Sequence, residues 1–301
     1  MQIDKENDGI CFNDSEHRYW DKNDSSKEYI SVTTLIGKYA QPFDEDFWSK
    51  YKALEKLTSV EEWKTLKRTL LDTHRITDDI IKAYDINPND LNIEQQNILD
   101  AWQKKKNESC ERGTLIHSQL EHSFYNMSDD APLKKFGVGG KFTCKEGYNK
   151  LDLENGVYPE YLISWSSSDK VLNLAGQIDL LIKNGNEVTL ADHKTNEKID
   201  QKGFFNTATR GTTKMQYPLN TIEDCNYGHY EMQLSTYAFM LQQWHPEYVI
   251  KDLILNHYDH DMKNTLYHCI YRKDEVERML SDYHKKCKLE ASRNRRKPMK
   301  Y

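Results

Sequence analysis

No two of the six cysteines, at positions 11, 110, 144, 225, 269 and 287, form a Cys-x-x-Cys pair. Structural zinc sites draw on such close pairs, so the spacing argues against a zinc ribbon or finger. The chain also lacks any apolar run approaching the roughly 20 residues that a membrane helix requires. Its opening, MQIDKENDGI, is polar and acidic and has no apolar stretch of a secretory leader. These absences predict an intracellular, cytoplasmic protein with reduced cysteines and no membrane association. A surplus of positive charge is missing too: 42 Lys and Arg face 48 Asp and Glu, a net charge of −6. Bulk electrostatics do not draw such a chain onto nucleic acid, so binding there needs a local basic surface. The tail KKCKLEASRNRRKPMKY, 285–301, is one such region. It reads either as a segment lying along a phosphate backbone or as a solvated, frayed end.

Further absences narrow the field. There is no internal repeat, no long low-complexity linker and no helicase motif. GVGGKF, 137–142, is not a phosphate loop, because the glycine spacing fails and Phe142 follows Lys141. DKNDSSKEY, 21–29, lacks the central glycine and closing glutamate of a calcium loop.

What is present is a polar chain of 301 residues, 37% hydrophobic and 30% charged, with a mean hydropathy of −0.88. That length allows one large domain or two modest ones with a sizeable core. Residues 17–36 predict a short strand, a polar turn, and a second strand or helix start. Apolar positions three and four apart predict helices over most of 44–108, with a turn at INPND, 86–90. Another helix is predicted from about Gly113 to Asn126, with His117 and Glu121 on one face. The segment 131–158 reads as a loop or an irregular helix pair. From 160 onward strands dominate: EYLISWSS, a run bent at Gly176, and EVTLADHKT, with a turn at Asn184-Gly185 joining the last two. A helix over 229–244, two more strands and a last helix from Asp274 to about Ala291 complete the reading. The order predicts an α/β or α+β fold, a mixed β-sheet flanked by helices, with an N-terminal helical region.

The densest chemistry lies in GQIDLLIKNGNEVTLADHKT, 176–195. Asp179 leaves one apolar strand, and Asp192 and Lys194 leave the next, so a hairpin brings two carboxylates and an ammonium to one end. Asp192 and Lys194 point the same way, because strand side chains alternate. Phosphodiester hydrolysis needs an activated water and neutralised phosphate charge, which divalent metals on hard oxygen ligands supply. The His193 carbonyl is placed to add an oxygen, and Lys194 to steady developing negative charge. Taken alone, Asp-x-Lys at a strand end is usually a surface ion pair. His117 alone reads as an ordinary surface or core histidine, and Gln233 and Tyr237 as helix–sheet packing. The pair His257 and His260 has no third ligand for zinc.

In combination these segments resemble the PD-(D/E)XK nuclease superfamily, in its RecB-like exonuclease branch. GTLIHSQLE resembles the helix that carries the metal-binding histidine, here His117. PEYLISW resembles the strand with an acidic residue near the metal, here Glu160. GQIDLL supplies Asp179, ADHKT supplies Asp192 and Lys194, and QLSTY resembles the Gln-x-x-x-Tyr element, here Gln233 and Tyr237. ISVTTLIGKY, with Ser31 and Thr33, resembles a segment that phage and mitochondrial relatives use in the DNA channel. The match spans roughly 17–245.

The resemblance implies a restriction-endonuclease-like core over 113–301 and an N-terminal region, 1–112, forming part of a DNA channel. It implies Mg2+ or Mn2+ on His117, Asp179 and Asp192, a catalytic Lys194, and Glu160 as a supporting or second-metal acid. Gln233 and Tyr237 would orient the catalytic strands or contact DNA, as would Ser31 and Thr33. An iron–sulfur cluster is not expected, since the closely spaced C-terminal cysteines of some relatives are lacking. The activity implied is metal-dependent exonucleolytic cleavage of DNA ends or single strands in replication, recombination or repair, with a possible protein partner from those processes. The alternatives are an endonuclease of the same fold and a catalytically silent DNA-binding protein.

Overall fold

Apolar runs around Asp179 and Asp192, buried along almost their whole length, build two neighbouring strands of a mixed sheet, and everything else in the first unit is layered on that sheet. The computed structural model describes residues 5–7, 9–13, 15–126, 131–138, 142–145, 151–206 and 210–295. Residues 139–141 of GVGGKF and the end of the basic tail, 296–301, lie outside the described residues.

In chain order the elements are β1 (Lys5–Asn7), β2 (Ile10–Asn13), β3 (Arg18–Asp21), β4 (Asp24–Ser31), α1 (Val32–Gly37), α2 (Glu45–Leu57), α3 (Val60–Thr73), α4 (Asp78–Ala83), α5 (Pro88–Tyr125) and α6 (Ala131–Lys134). There follow β5 (Gly156–Ser166), β6 (Asn173–Asn184), β7 (Glu187–Lys194), β8 (Phe205–Asn206), β9 (Gly211–Thr212), α7 (Asn226–Trp244), β10 (Val249–Tyr258), β11 (Asn264–His268) and α8 (Lys273–Arg295). The architecture is the expected mixed sheet flanked by helices. Among the described residues no helix is long and apolar enough to cross a membrane.

Two units emerge. The first comprises Met1–Gln41, Leu115–Phe205 and Thr212–Tyr301, the second Pro42–Thr114 and Asn206–Gly211. The division therefore differs from the one expected after residue 112. Residues 1–41 belong with the sheet, because β4 pairs in parallel with β6 through Ile30–Leu174 and Ser31–Ala175. The helix expected to begin near Gly113 is the last third of α5, which runs unbroken from Pro88. One interior glycine costs a helix only about 1 kcal/mol, too little to stop it between strong helix-forming neighbours.

In the first unit the strand order is β1-β2-β3-β4-β6-β7-β10-β11, with β5 along the other edge of β6. The β4–β6 and β7–β10 pairs are parallel and the rest antiparallel. The β6–β7 hairpin turns on Gly185 and Asn186, one position beyond the Asn-Gly pair read from the sequence, with Gly185 at φ +59. One face of the sheet is covered by α1, α7 and α8 through a core that includes Tyr39, Ile178, Leu181, Leu190, Met240 and Leu255. The other face meets Phe124 of α5 together with Leu133 and Phe136, over Leu180, Ile182 and Ile254. Successive β6 residues thus serve opposite cores, as strand geometry dictates.

The second unit has its own core of Phe47, Tyr51, Leu54, Leu66, Leu70, Leu91 and Ile98. Trp48, Trp63 and Trp102 pack against it. Ser59 and Glu62 form a capping box at the start of α3, satisfying amides that the helix itself leaves open.

Candidate active site

The sheet interrupts its own hydrogen-bonding pattern at Asp179. The β6–β7 ladder runs from Asn184–Glu187 to Leu180–Ala191 and stops there, so the strands part where Asp179 would face Asp192. On the other edge, β5 pairs through Pro159–Leu180 and Tyr161–Ile178 but skips Glu160, which would face Asp179. Glu160 adopts a left-handed backbone, φ 51, inside a strand. Such a conformation in a non-glycine residue costs about 1–3 kcal/mol and persists only where its surroundings impose it. The alternation of faces slips at the same level. Tyr158 and Tyr161 on β5, and Ile178 and Leu181 on β6, share one core although each pair is three residues apart. The slip turns Glu160 and Asp179 toward a common space.

His117 reaches that space from α5. Its Nδ1 lies 3.6 Å from Asp179 Oδ2 and 3.8 Å from Glu160 Oε1. Its Nε2 lies 3.0 Å from the His193 carbonyl oxygen, to which it donates. Ligand atoms of His117, Glu160 and Asp179 fall within 4.8 Å of one another, close enough to share one ion. Asp179 Oδ2 also accepts the His193 main-chain N–H at 2.6 Å, which ties the first strand's acid to the second strand's backbone. The Gln177 side-chain amide donates to Glu160.

Asp192 is fully enclosed, at 1% exposure. Its Oδ2 sits 2.6 Å from Lys194 Nζ, yet it accepts no hydrogen bond of acceptable angle. Its Oδ1 accepts from Gln233 Nε2 at 3.1 Å. The same amide reaches Tyr237 OH at 3.3 Å, and Gln233 Oε1 accepts from Lys194 Nζ at 3.4 Å. One glutamine thus holds the carboxylate and the ammonium from α7. Tyr237 fits because residue 176 is glycine: β6 continues straight through it, without the expected bend, and the ring occupies the space of the missing side chain.

The electrostatics call for a cation. Burial pushes the Asp179 carboxyl up to about 7; Asp192 and Glu160 add to that, while His117 and Lys194 oppose it. Burial alone would depress the His117 imidazole, but the Asp179 and Glu160 carboxylates outweigh it and lift it to about 9. Burial likewise opposes the Lys194 charge, and Asp192 and Asp179 hold the ammonium above the ordinary lysine range. Three carboxylates crowd one imidazole and one ammonium, so protons gather where a cation is wanted. A donor set of carboxylates, a carbonyl and an imidazole suits Mg2+ or Mn2+.

His193 works below this site. Burial, with His117, Lys135 and Lys194 adding to it, holds its imidazole well below the ordinary histidine range, hence neutral. Its Nδ1 accepts from Asn256 Nδ2 at 2.9 Å, and Asn256 Oδ1 accepts from Asn264 at 2.5 Å. The chain is anchored where its carbonyl and amide serve the cluster.

Of the residues read from the sequence, His117, Glu160, Asp179, Asp192, His193, Lys194, Gln233 and Tyr237 come together. Glu160 stands with His117 and Asp179, while Asp192 stands with Lys194 and Gln233. Ser31 and Thr33 do not join them: the Ser31 hydroxyl caps α1 through the Thr34 N–H at 3.0 Å, and Thr33 lies 3.1 Å from it. His257 is enclosed and meets the Asn196 carbonyl at 2.7 Å. Sequence reasoning missed Tyr230, whose ring centroid lies 4.4 Å from Lys194 Nζ. Its position three residues before Gln233, on the same helix face, was the available signal.

No family model matches the sequence, and no curated protein matches it. Among solved structures, that of SSO0001 aligns with 42% of this chain and 48% of its own, at 18% identity and a TM-score of 0.26. The alignment spans about half of that structure's chain, and a likeness of this size carries no argument about activity.

Proposed function

We propose that this protein is a divalent-metal-dependent nuclease of the PD-(D/E)XK type, RecB-like in its motifs, that hydrolyses DNA phosphodiesters as an exonuclease. The observation that carries the reading is the meeting of His117, Glu160, Asp179, Asp192 and Lys194 at the parted end of the β6–β7 hairpin. These are the residues whose motifs resemble that superfamily. By their motifs Asp179, Asp192 and His117 would hold Mg2+ or Mn2+; the ligand atoms close enough to share one ion are those of His117, Glu160 and Asp179, whereas Asp192 is paired with Lys194. Bound there, the ion supplies Lewis acidity at the phosphate and a more acidic water.

The chain's own groups do the rest. Lys194 keeps its proton, so it serves by donating: it orients the attacking water and steadies charge building on the phosphate oxygens. Gln233 fixes Lys194 relative to Asp192, so the ammonium does not search for its position during reaction. The Gln177 amide steadies Glu160, and the His193 main-chain N–H steadies Asp179. The attacking water's oxygen would bond to phosphorus as the bond from phosphorus to the leaving sugar oxygen breaks; the water's proton passes to solvent, and the leaving oxygen takes one from solvent to depart as a hydroxyl. The setting is the cytoplasm, the host's if the gene belongs to a phage, in replication, recombination or repair and beside a protein of those processes.

The test is a paired assay with Mg2+ or Mn2+ on end-labelled linear and on closed circular single-stranded DNA. Loss of the linear substrate alone is expected. Cutting of both moves the reading to an endonuclease of the same fold. Cutting of neither, with metal bound, points to a missing partner or to a silent DNA-binding protein.

A further inference from the structure

Lys194 is the last residue of β7, and its side chain is 17% exposed. Two sides of its ammonium are accounted for by Asp192 and Gln233. A third is the aromatic ring of Tyr230, whose centroid lies 4.4 Å from Nζ. A cation at that distance from a tyrosine ring is attracted by the ring's negative face. The ring is held at both ends. Its backbone belongs to α7, one turn ahead of Gln233, and its hydroxyl donates to Asn196 Oδ1 at 2.8 Å. Asn196 follows the end of β7, and its carbonyl accepts from His257 Nε2 at 2.7 Å. His257 is the parallel neighbour of Lys194 on β10. A closed circuit therefore runs from Lys194 through Tyr230, Asn196 and His257 and back across the sheet to Lys194. A long, flexible side chain at a strand end needs such a fixture to stay on one acid.

We propose that Tyr230 is a positioning residue: its ring holds the Lys194 ammonium against Asp192 and Gln233. The use made of that ammonium rests on the nuclease reading, whereas its confinement does not. The two are separated by measuring both amine reactivity and cleavage in the full chain carrying Tyr230→Phe or Tyr230→Met. Phenylalanine keeps the ring, and methionine keeps bulk without it; Tyr230→Leu replaces the methionine variant if that one fails to fold. Acetylation of Lys194, read by mass spectrometry relative to exposed Lys64, is expected to rise about fivefold without the ring and to stay within about twofold with phenylalanine. On linear single-stranded DNA with Mn2+, loss of the ring is expected to lower kcat about tenfold with KM nearly unchanged, and phenylalanine to restore most of it. Unchanged Lys194 reactivity in the methionine or leucine variant overturns the proposal, as does a phenylalanine variant that behaves like methionine. If the parent protein cuts nothing, the nuclease reading fails and the acetylation result alone decides the role of Tyr230.

Discussion

Gly176 and Tyr237 approach so closely that a methyl group on the glycine would lie 2.5 Å from ring Cε1 and 2.9 Å from the hydroxyl oxygen. The ring belongs to the same core that roofs the sheet, so it has little room to retreat. Gly176→Ala is expected to cost about 1–3 kcal/mol, as overpacking does. Urea unfolding of the two proteins measures it. Because Tyr237 abuts Gln233, cleavage should fall along with stability, whereas a surface Gly→Ala change would leave it alone.

Under the proposed nuclease activity, variants of Asp192 and Lys194 should separate metal binding from chemistry. Asp192→Ala should abolish cleavage and weaken Mn2+ binding in calorimetry, since it removes a proposed oxygen ligand. Lys194→Ala should retain the metal and lose about 100-fold or more in kcat, as removal of one stabilising donor does elsewhere. Equal cutting by both variants and the parent would show that the site lies elsewhere.

Glu160 offers a trade between strain and activity. Its left-handed backbone suits glycine, so Glu160→Gly should raise stability by about 1 kcal/mol while lowering cleavage. Glu160→Gln keeps the strain and removes the charge. Thermal midpoints that fail to rise in the glycine variant would mean that the carboxylate's contacts with His117 and Gln177 outweigh the strain.

Glu223 sets a pH dependence away from the cluster. Burial alone would raise its carboxyl, but Lys214, the Gly203 N–H and Thr212 outweigh that and hold it at about 2. Its folded value lies below its unfolded one, so the folded state releases this proton more readily. The stabilisation is complete above the ordinary glutamate value, roughly 4.3, and is lost as pH falls from there toward 2. Glu223→Gln should therefore be less stable than the parent at pH 6, and the gap in chemical-denaturation midpoints should close on acidification. A gap independent of pH would assign the effect to packing.

The hairpin bearing Asp179, Asp192 and Lys194 was legible because its strands are short apolar runs and an Asn-Gly pair punctuates them. The helix with Gln233 and Tyr237 was legible from its period. Gly176 was read as a bend because glycine is ambiguous in sequence: it marks flexible backbone or close approach, and only the tertiary partner, Tyr237, says which. The left-handed Glu160 could not be read at all, since glutamate has no preference for that conformation and the surroundings impose it. The attachment of residues 1–41 to the sheet depends on a parallel pairing of β4 with β6 across more than 140 positions, which local patterns do not encode. The unbroken α5 was missed for the opposite reason: a local stop signal was present and too weak.

The bond from the His193 amide to Asp179 has a practical side. Its donor belongs to the main chain, so no ordinary side-chain replacement at 193 deletes it. Alanine at 179 removes the acceptor together with the charge, whereas alanine at 193 leaves the donor in place. Only proline at 193, or an ester in place of that peptide bond, removes the donor. The hold on Asp179 from the second strand is thus written into the backbone and is insensitive to most of the amino-acid alphabet at 193.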